Sequence, residues 1–385
     1  MSGSPVVCFV TLVLSQYRVP FHARVRDILS AEGVDYRLIY SDPIGDDAAK
    51  GDTARLDWAE RVPVSQLQLA GQTLYWQSAL SETAQADLTI ASQENKLLLN
   101  YWLQLRYLLF GRRMGFFGHG RSPAVGKYPR LGGALKRFLC KKVYWWFAYT
   151  PEVADLVSGY GFPRERISIN YNSIDTVTLL GELDSITEAE ITDFLGAFGI
   201  GSRRVGLYLG ALYGDKRIDF LIEAARAVRR LVPDFELLIV GAGSHAYLAE
   251  NAARDFDFIH YAGPKFGRDK AVALKASRAC LLPGAVGLTI LDSFVAACPL
   301  VTTSCTGHGP EIAYLADGEN GVWVEDADSL EAYRDAVVRV MTDDAYWHGL
   351  KDGARKSARL YSIENMAQHF SDGVMKALGK PKSNA

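Results

Sequence analysis

One glycine-bearing loop holds the residue pattern with the clearest chemical meaning in this chain. The apolar strand Ala279–Leu282 runs into this loop, and a helix follows whose first turn carries Asp292. Backbone N–H groups and the helix dipole converge on such a loop, which favours an anion at Gly287, Leu288 and Thr289. The Asp292 carboxylate can accept hydrogen bonds from the hydroxyls of a ribose. The pattern therefore predicts a site for a nucleotide diphosphate.

Two further loops carry side chains suited to chemistry. Lys216 follows the apolar strand Val205–Leu209, where its ammonium can neutralise a diphosphate leaving group as that charge grows in the transition state. His119 follows another apolar strand, and the glycines on either side of it allow a ligand to approach the backbone closely. Both loops are expected at the carboxyl ends of their strands.

Apolar strands alternate with helix-like segments along the chain, and the short loops between them favour parallel strands with right-handed crossovers. At 385 residues the chain is longer than a single core usually grows, so we predict two domains. We expect an α/β protein of two Rossmann-like domains facing a central cleft, with ligands at the carboxyl ends of the strands. We place the domains at 1–180 and 200–360, followed by a crossover helix and tail at 361–385. Between them, Thr187 and Glu190 match a helix capping box.

One window of the sequence is strongly basic although the whole chain carries a net charge of only −2. From Asn95 to Pro151 there is no Asp or Glu, against 11 Lys and Arg and 13 aromatic residues. We predict an amphipathic helix over 131–146 that suits an anionic bilayer surface better than RNA; a core helix with a solvated basic face is the alternative. The residues assigned to membrane contact are Lys136, Arg137, Lys141, Lys142, Trp145 and Trp146.

The remaining composition narrows the class of protein. Five scattered cysteines without CxxC or Cys/His spacing indicate reduced thiols in a cytosolic protein and no metal site. No apolar run reaches the roughly 18 residues of a membrane span, and residues 6–14 lack the flanks of a signal peptide. We expect a cytoplasmic protein, peripheral at the inner face of the cell membrane, that binds neither a metal nor nucleic acid.

Several motifs, taken in order, resemble the retaining GT-B glycosyltransferases of family 4, the glycosyl transferases group 1. The resemblance lies in the segments 172–175, 207–224, 241–244, 261–263, 283–299 and 318–324. It implies a metal-independent hexosyltransferase that uses a UDP- or GDP-sugar donor and no cofactor. The donor contacts that it implies are Gly210, Lys216, Arg217, Gly263, Gly287, Leu288, Thr289 and Asp292.

The resemblance also implies residues on the acceptor side. In this family a histidine at the place of His119 faces the donor sugar and the acceptor across the cleft. Tyr17 and Arg18 lie in the loop after the first strand and are expected to bind the acceptor, with Arg18 pairing with an acceptor phosphate. The catalytic residues expected on this basis are His119, Lys216 and Glu311.

The sequence departs from the family pattern at two places. The family usually carries two glutamates eight positions apart across the donor loop, and these fall on Gly284 and Asp292. The family's arginine after the first strand of the domain is Ala211 here, which leaves Lys216 as the main diphosphate cation. We hypothesise that Glu311 reaches the donor sugar in place of the missing carboxylate.

Together these features predict a retaining enzyme that transfers a sugar from a nucleotide-diphosphate sugar to a glycan acceptor. We expect the acceptor to be lipid-linked and the pathway to be cell-surface polysaccharide or glycolipid biosynthesis. Two alternatives stay open. One is a non-catalytic GT-B subunit that only binds a nucleotide, as Gly284 and Ala211 suggest. The other is a sugar-nucleotide 2-epimerase, whose additional acidic and histidine residues we do not find.

Overall fold

The computed structural model describes residues 4–44, 53–69, 71–120 and 137–380. Its strands are β1 (Val6–Val10), β2 (Asp35–Tyr40), β3 (Glu60–Arg61), β4 (Val64–Leu69), β5 (Gln72–Gln77), β6 (Leu88–Ser92), β7 (Met114–Gly118), β8 (Trp145–Ala148), β9 (Ile167–Ile169), β10 (Val205–Leu209), β11 (Glu236–Val240), β12 (Ile259–Gly263), β13 (Ala279–Leu282), β14 (Leu300–Thr303) and β15 (Gly321–Val324).

The α-helices of these ranges are α1 (Val19–Ala31), α2 (Leu98–Phe110), α3 (Pro151–Gly159), α4 (Thr176–Ser185), α5 (Glu188–Gly196), α6 (Ile218–Leu231), α7 (Ala246–Asp255), α8 (Gly267–Ala276), α9 (Thr289–Val295), α10 (Leu330–Thr342), α11 (Asp344–Leu360) and α12 (Ile363–Leu378). Short 3-10 helices lie at Gln16–Arg18, Arg164–Arg166, Gly214–Lys216 and Pro310–Tyr314. The chain divides into two compact units, and each has its own parallel sheet.

The first unit comprises the chain up to Asn172 together with the segment from Ile363 onward. Its seven strands are ordered β3-β2-β1-β6-β7-β8-β9, and every pair is parallel. Helices cover both faces, which is why β1, β6, β7 and β8 read as almost continuous apolar runs. The C-terminal helix α12 belongs to this core, where Phe370 packs against Phe9 and Phe147.

The second unit comprises Ser173–Ser362. Its six parallel strands are ordered β12-β11-β10-β13-β14-β15, so the winding direction reverses between β10 and β13. In a doubly wound sheet such a reversal opens a crevice at the carboxyl ends of the two strands, where ligands bind. This order fixes which loops can form a site in the second unit. The predicted α/β fold with two Rossmann-like halves is confirmed.

The helix predicted over 131–146 is wrong in its second half. Within the described residues it is helical only at 137–140, and Trp145 and Trp146 open strand β8. Trp146 is 0 % exposed and its indole N–H donates to the Cys140 carbonyl, while the indole of Trp145 donates to Ser168 Oγ at 2.9 Å. Both tryptophans are core residues, so their assignment to a membrane surface is corrected.

Two local features complete the description of the fold. Strands β4 and β5 form an antiparallel hairpin with Gly71 at positive φ in the turn. The capping box is confirmed, because Thr187 Oγ1 accepts from the Glu190 N–H and the Glu190 carboxylate accepts from the Thr187 N–H. The same bonds, together with Arg268, hold the pKa of Glu190 at about 2. Among the described helices, none is long and apolar enough to cross a bilayer.

Candidate functional site

Two loops meet at the point where the second sheet reverses its winding. One follows β10 and contains the 3-10 helix Gly214–Lys216, and the other follows β13. The Ala285 N–H donates to the Asp215 carbonyl at 2.9 Å, and Lys216 Nζ donates to the Ala285 carbonyl at 2.5 Å. These bonds fix the Lys216 ammonium beside the glycine-bearing loop. The structure thus brings together two sequence-predicted parts of the site that lie about 70 residues apart.

Gly284 lies at the closest approach of these two loops. A Cβ built on Gly284 would lie 2.4 Å from the Lys216 carbonyl carbon and 2.5 Å from the Asp215 oxygen. Backbone atoms cannot move aside as the end of a flexible side chain can, so no side chain fits at position 284 in this arrangement. The departure from the expected glutamate therefore has a steric reason in this chain.

The loop between β13 and α9 keeps backbone donors available for a ligand. In the part of the chain that the structure describes, the N–H groups of Gly287, Leu288 and Thr289 donate to no protein acceptor. These residues are half-buried, whereas the residues on either side of them are buried. The Val286 N–H, in contrast, is used by His308 Nδ1 at 3.0 Å. Three available donors at the start of a helix favour an anion.

Glycines let the neighbouring strand ends approach this loop. A Cβ built on Gly210, which has φ 148°, would lie 3.8 Å from Thr289 Oγ1, so Gly210 borders the loop between β13 and α9, which we call the anion loop. One built on Gly241 would lie 1.8 Å from the Gly210 oxygen. Gly263, at φ 67°, accepts from the Gly241 N–H and so lies one strand further away. The predicted glycines therefore border one another along the carboxyl edge of the sheet.

Asp292 is held by a lysine that sequence reasoning missed. Lys270, on α8, places Nζ 2.7 Å from Asp292 Oδ1, and the Asp292 side chain is only 13 % exposed. The ion pair keeps the carboxylate in a fixed position on the first turn of α9. Lys270 carried no signal in the sequence, because its helix follows a different strand and only the tertiary structure brings the two side chains together.

Glu311 lies next to the same loop and is 4 % exposed. Its Oε2 lies 2.6 Å from the position a Cβ would take on Gly309, and the Gly309 N–H donates to the Val286 carbonyl at 2.7 Å. The 3-10 helix Pro310–Tyr314 therefore delivers a carboxylate to the edge of the anion loop. This position is compatible with the hypothesis that Glu311 substitutes for the absent glutamate.

His308 is a second residue whose role the sequence did not reveal. Its Nε2 lies 2.9 Å from the Thr303 carbonyl, and its Nδ1 accepts from the Val286 N–H. Burial is the main cause that lowers the pKa of His308, and the nearby Lys216 charge adds to it. A neutral imidazole that donates through Nε2 and accepts through Nδ1 satisfies both bonds. His308 thus braces the loop that carries the available N–H groups.

Arg217, which was expected to contribute to diphosphate binding, makes several contacts with other protein groups in the structure. Arg217 has φ 56°, and its guanidinium donates to the Ala327 carbonyl and to Asp328 Oδ1 at 2.8 Å. It also stacks over Phe220, with Cζ 4.3 Å from the ring centroid. These contacts bind the guanidinium to the segment after β15. Arg217 thereby stabilises the loop that carries Lys216.

The predicted acceptor residues gather in the first unit around Tyr149, which the sequence did not single out. Arg18 Nη2 donates to the Tyr149 hydroxyl at 3.1 Å, and the Arg18 guanidinium carbon lies 4.9 Å from the Tyr17 ring centroid. The His119 and Tyr149 rings are 6.3 Å apart. Arg18 is 8 % exposed, so the expected loop arginine is a largely buried, aromatic-supported cation. Three predicted residues therefore form one cluster at the carboxyl edge of the first sheet.

The basic residues assigned to a membrane surface separate in the structure. Arg137 and Lys141 are exposed and Lys142 is half-buried, while Lys136 lies outside the described residues. Lys142 Nζ lies 4.7 Å from the ring centroid of Phe138, which is 52 % exposed. The described part of the predicted basic surface is therefore a short segment and not a long helix.

Comparisons with known proteins show which family and which fold the chain resembles. Residues 203–343 match the family described as Glycosyl transferases group 1. A D-inositol 3-phosphate glycosyltransferase of Corynebacterium urealyticum is 26 % identical over 233 residues, which are 57 % of this chain and 53 % of that protein. The match thus spans about half the length of this curated relative.

Solved structures resemble nearly the whole chain. HepE of Anabaena in complex with UDP has a TM-score of 0.70 at 13 % identity, covering 96 % of this chain and 99 % of that one. A glycosyltransferase of Rickettsia africae has a TM-score of 0.71 at 13 % identity, covering 99 % and 100 %. WaaG, a glycosyltransferase involved in lipopolysaccharide biosynthesis, has a TM-score of 0.63 at 17 % identity, covering 95 % and 98 %. At these identities the likeness establishes the shared fold. The chain therefore has the GT-B fold, and residues 203–343 of its second unit match the glycosyl transferases group 1 family.

Proposed function

We propose that this protein is a retaining, metal-independent glycosyltransferase that transfers a hexose from a UDP- or GDP-sugar to a lipid-linked or other glycan acceptor. The reaction would belong to cell-surface polysaccharide or glycolipid biosynthesis and take place at the inner face of the cell membrane. One observation supports the proposal most directly. At the reversal point of the second sheet, the Lys216 ammonium lies beside the loop that carries the available N–H groups of residues 287–289.

The chemistry of such a site is mainly positioning and charge stabilisation. The backbone donors hold the diphosphate, and Lys216 offsets the negative charge that grows on it as the sugar leaves. Asp292, fixed by Lys270, accepts from the ribose hydroxyls. Glu311 contacts the donor sugar, and no protein nucleophile is required.

The acceptor would bind the first unit at the Tyr149 cluster. The reacting hydroxyl of the acceptor, and any phosphate that the acceptor carries, would contact Tyr17, Arg18 and His119. Because Arg18 is held by three aromatic rings, its charge is preorganised and costs little entropy on binding an anion.

Nucleotide binding and turnover test the proposal separately. A thermal-shift panel of UDP, GDP and their sugars should show one nucleotide that raises Tm by mass action. In the Lys216→Met variant we expect weaker nucleotide binding and a kcat about 10²–10³-fold lower, as when an electrostatic contact to a transition-state anion is removed. Lys356→Met, an exposed lysine on α11, is the matched control and should behave like the native protein.

Other outcomes would contradict parts of the proposal. Tight nucleotide binding without transfer or donor hydrolysis would favour a non-catalytic subunit, and an epimerised sugar nucleotide formed without acceptor would favour an epimerase. NMR of the product's anomeric carbon tests retention, and turnover in the presence of EDTA tests independence of metal. Full activity of Lys216→Met would remove the central claim.

A further inference from the structure

The outward side of α2 carries large apolar side chains open to solvent. Tyr101, Trp102, Leu105, Leu108 and Leu109 are between 38 % and 63 % exposed. Their spacing of three, four and seven residues places them on one side of the helix, and the opposite side packs into the core of the first unit. A contiguous apolar face of this kind on a folded unit marks contact with another molecule or phase.

The exposed apolar surface extends to the last residue of the helix, Phe110, and to a neighbouring segment. Phe110 is 71 % exposed, and Gly111, at φ 67°, ends α2 so that the exposed Arg112 follows directly. Gln104 Nε2 donates to the Leu139 carbonyl at 2.7 Å, which attaches the segment 137–142 to the side of α2. That segment adds the exposed ring of Phe138 to the same region of the surface.

Charge distinguishes among the partners that such a face could meet. Arg112, Arg137 and Lys141 are exposed around the apolar residues, and no Asp or Glu occurs in the sequence between Asn95 and Pro151. A basic rim complements an anionic surface. Leucines at the centre of the face offer no stacking to nucleic-acid bases, whereas leucine, tryptophan and tyrosine beside basic residues are typical of proteins that lie in the bilayer interface.

We propose that α2 together with segment 137–142 is the surface by which this protein binds an anionic lipid bilayer. The leucines and Phe110 enter the acyl boundary, the rings of Tyr101 and Trp102 lie at the headgroup level, and Arg137 and Lys141 contact lipid phosphates. This inference rests on the proposed function, because a protein bound to a bilayer can reach a lipid-linked acceptor there. The surface takes the place of the helix predicted over 131–146, which was expected to expose Trp145 and Trp146.

Vesicle binding by the full-length protein tests this surface without any need for turnover. Co-sedimentation with phosphatidylcholine vesicles containing phosphatidylglycerol should exceed that with pure phosphatidylcholine and should decrease with salt. The variant with Leu105→Ser, Leu109→Ser and Phe110→Ser should bind at least about tenfold more weakly, because three apolar insertions are lost. Charge reversal by Arg137→Glu and Lys141→Glu should also weaken binding about tenfold or more at low salt.

A matched control removes three leucines on the second unit whose exposure is comparable. Leu180→Ser, Leu231→Ser and Leu360→Ser change side chains that are 50–57 % exposed, and vesicle binding should be unchanged. Equal binding by the α2 variant, or no preference for anionic vesicles, would overturn the proposal. A native dimer in sedimentation that the α2 variant abolishes would instead assign the face to a second copy of the chain. Nucleotide should raise the Tm of these variants as much as it raises the Tm of the native protein. Failure of the membrane proposal would therefore leave the donor-site proposal unaffected.

Discussion

At the scale of single residues, Gly284 shows how one departure from a family pattern can be structural. The position lacks space for any side chain because the backbone of Asp215 and Lys216 lies against it. The same contact places the Lys216 ammonium on the Ala285 carbonyl, beside the backbone donors that follow. The close approach of the two loops therefore explains both why position 284 carries no carboxylate and why the loop with Lys216 is fixed.

Substitution of this glycine tests that link. We expect Gly284→Ala to lower the free energy of unfolding by about 1–3 kcal/mol, because the added methyl displaces the backbone of Lys216. Nucleotide affinity should fall as well, since the ammonium moves with its loop. Chemical denaturation and nucleotide titration measure the two effects. Gly201→Ala, whose Cβ meets nothing within 4 Å, is the control, and native behaviour of Gly284→Ala would contradict the explanation.

At the scale of elements, the segment Gly318–Gly321 resembles a family motif, but its contacts in this chain are structural. Gly321 begins β15, so the motif lies at the amino edge of the sheet, opposite the anion loop. Asn320 Nδ2 donates to the Tyr314 carbonyl and to Ser357 Oγ, both at 2.9 Å, which ties the turn to α11. The motif stabilises packing between a turn and a helix.

Two glycines one turn apart on α11 give a sharp test of this packing. A Cβ on Gly353 would lie 1.9 Å from the Glu319 carbonyl oxygen, whereas one on Gly349 meets nothing within 4 Å. We expect Gly353→Ala to destabilise the protein by about 1–3 kcal/mol through this overlap. Gly349→Ala should stabilise it by up to about 1 kcal/mol, because alanine loses less backbone entropy in a helix. Equal midpoints for the two variants in urea denaturation would rule out the tight contact.

At the scale of the whole molecule, each unit has its own core, and the C-terminal helix α12 completes that of the first. Gly373 permits this, since a Cβ there would lie 2.5 Å from Ser168 Oγ. The core also contains His22, whose ring packs on Phe9 and whose Nδ1 lies 2.7 Å from the Tyr36 hydroxyl. Burial lowers the pKa of His22 to about 3, and Arg18 adds to the effect.

This histidine makes stability depend on pH. Above about pH 6.5 His22 is neutral in both states, but below it the unfolded chain takes up a proton that the folded protein refuses. Stability should therefore fall as pH decreases from about 6.5 towards 3, with His22 accounting for about 2 kcal/mol between pH 7 and 5. In urea denaturation across this range, the free energy of unfolding should change less with pH for His22→Gln than for the exposed control His348→Gln. An identical slope for both variants would refute the assignment.

The α/β fold and the loops that hold the candidate donor site could be predicted from residue patterns along the chain. Strand and helix periodicity are local properties, and the carboxyl ends of parallel strands share one edge, so Lys216, Thr289 and Asp292 were expected near one another. Gly210 followed from the resemblance in the same way.

The packed structure was needed to establish which side chains are in contact. The pairing of Lys270 with Asp292, of Arg18 with Tyr149, and the steric exclusion at Gly284 join positions far apart in the chain. It also decided that the apolar run at 145–148 is a strand, because a short apolar run has no periodicity that separates a buried strand from a buried helix. Contacts between distant residues depend on how the elements pack, and local sequence does not encode that packing in a pattern that can be read.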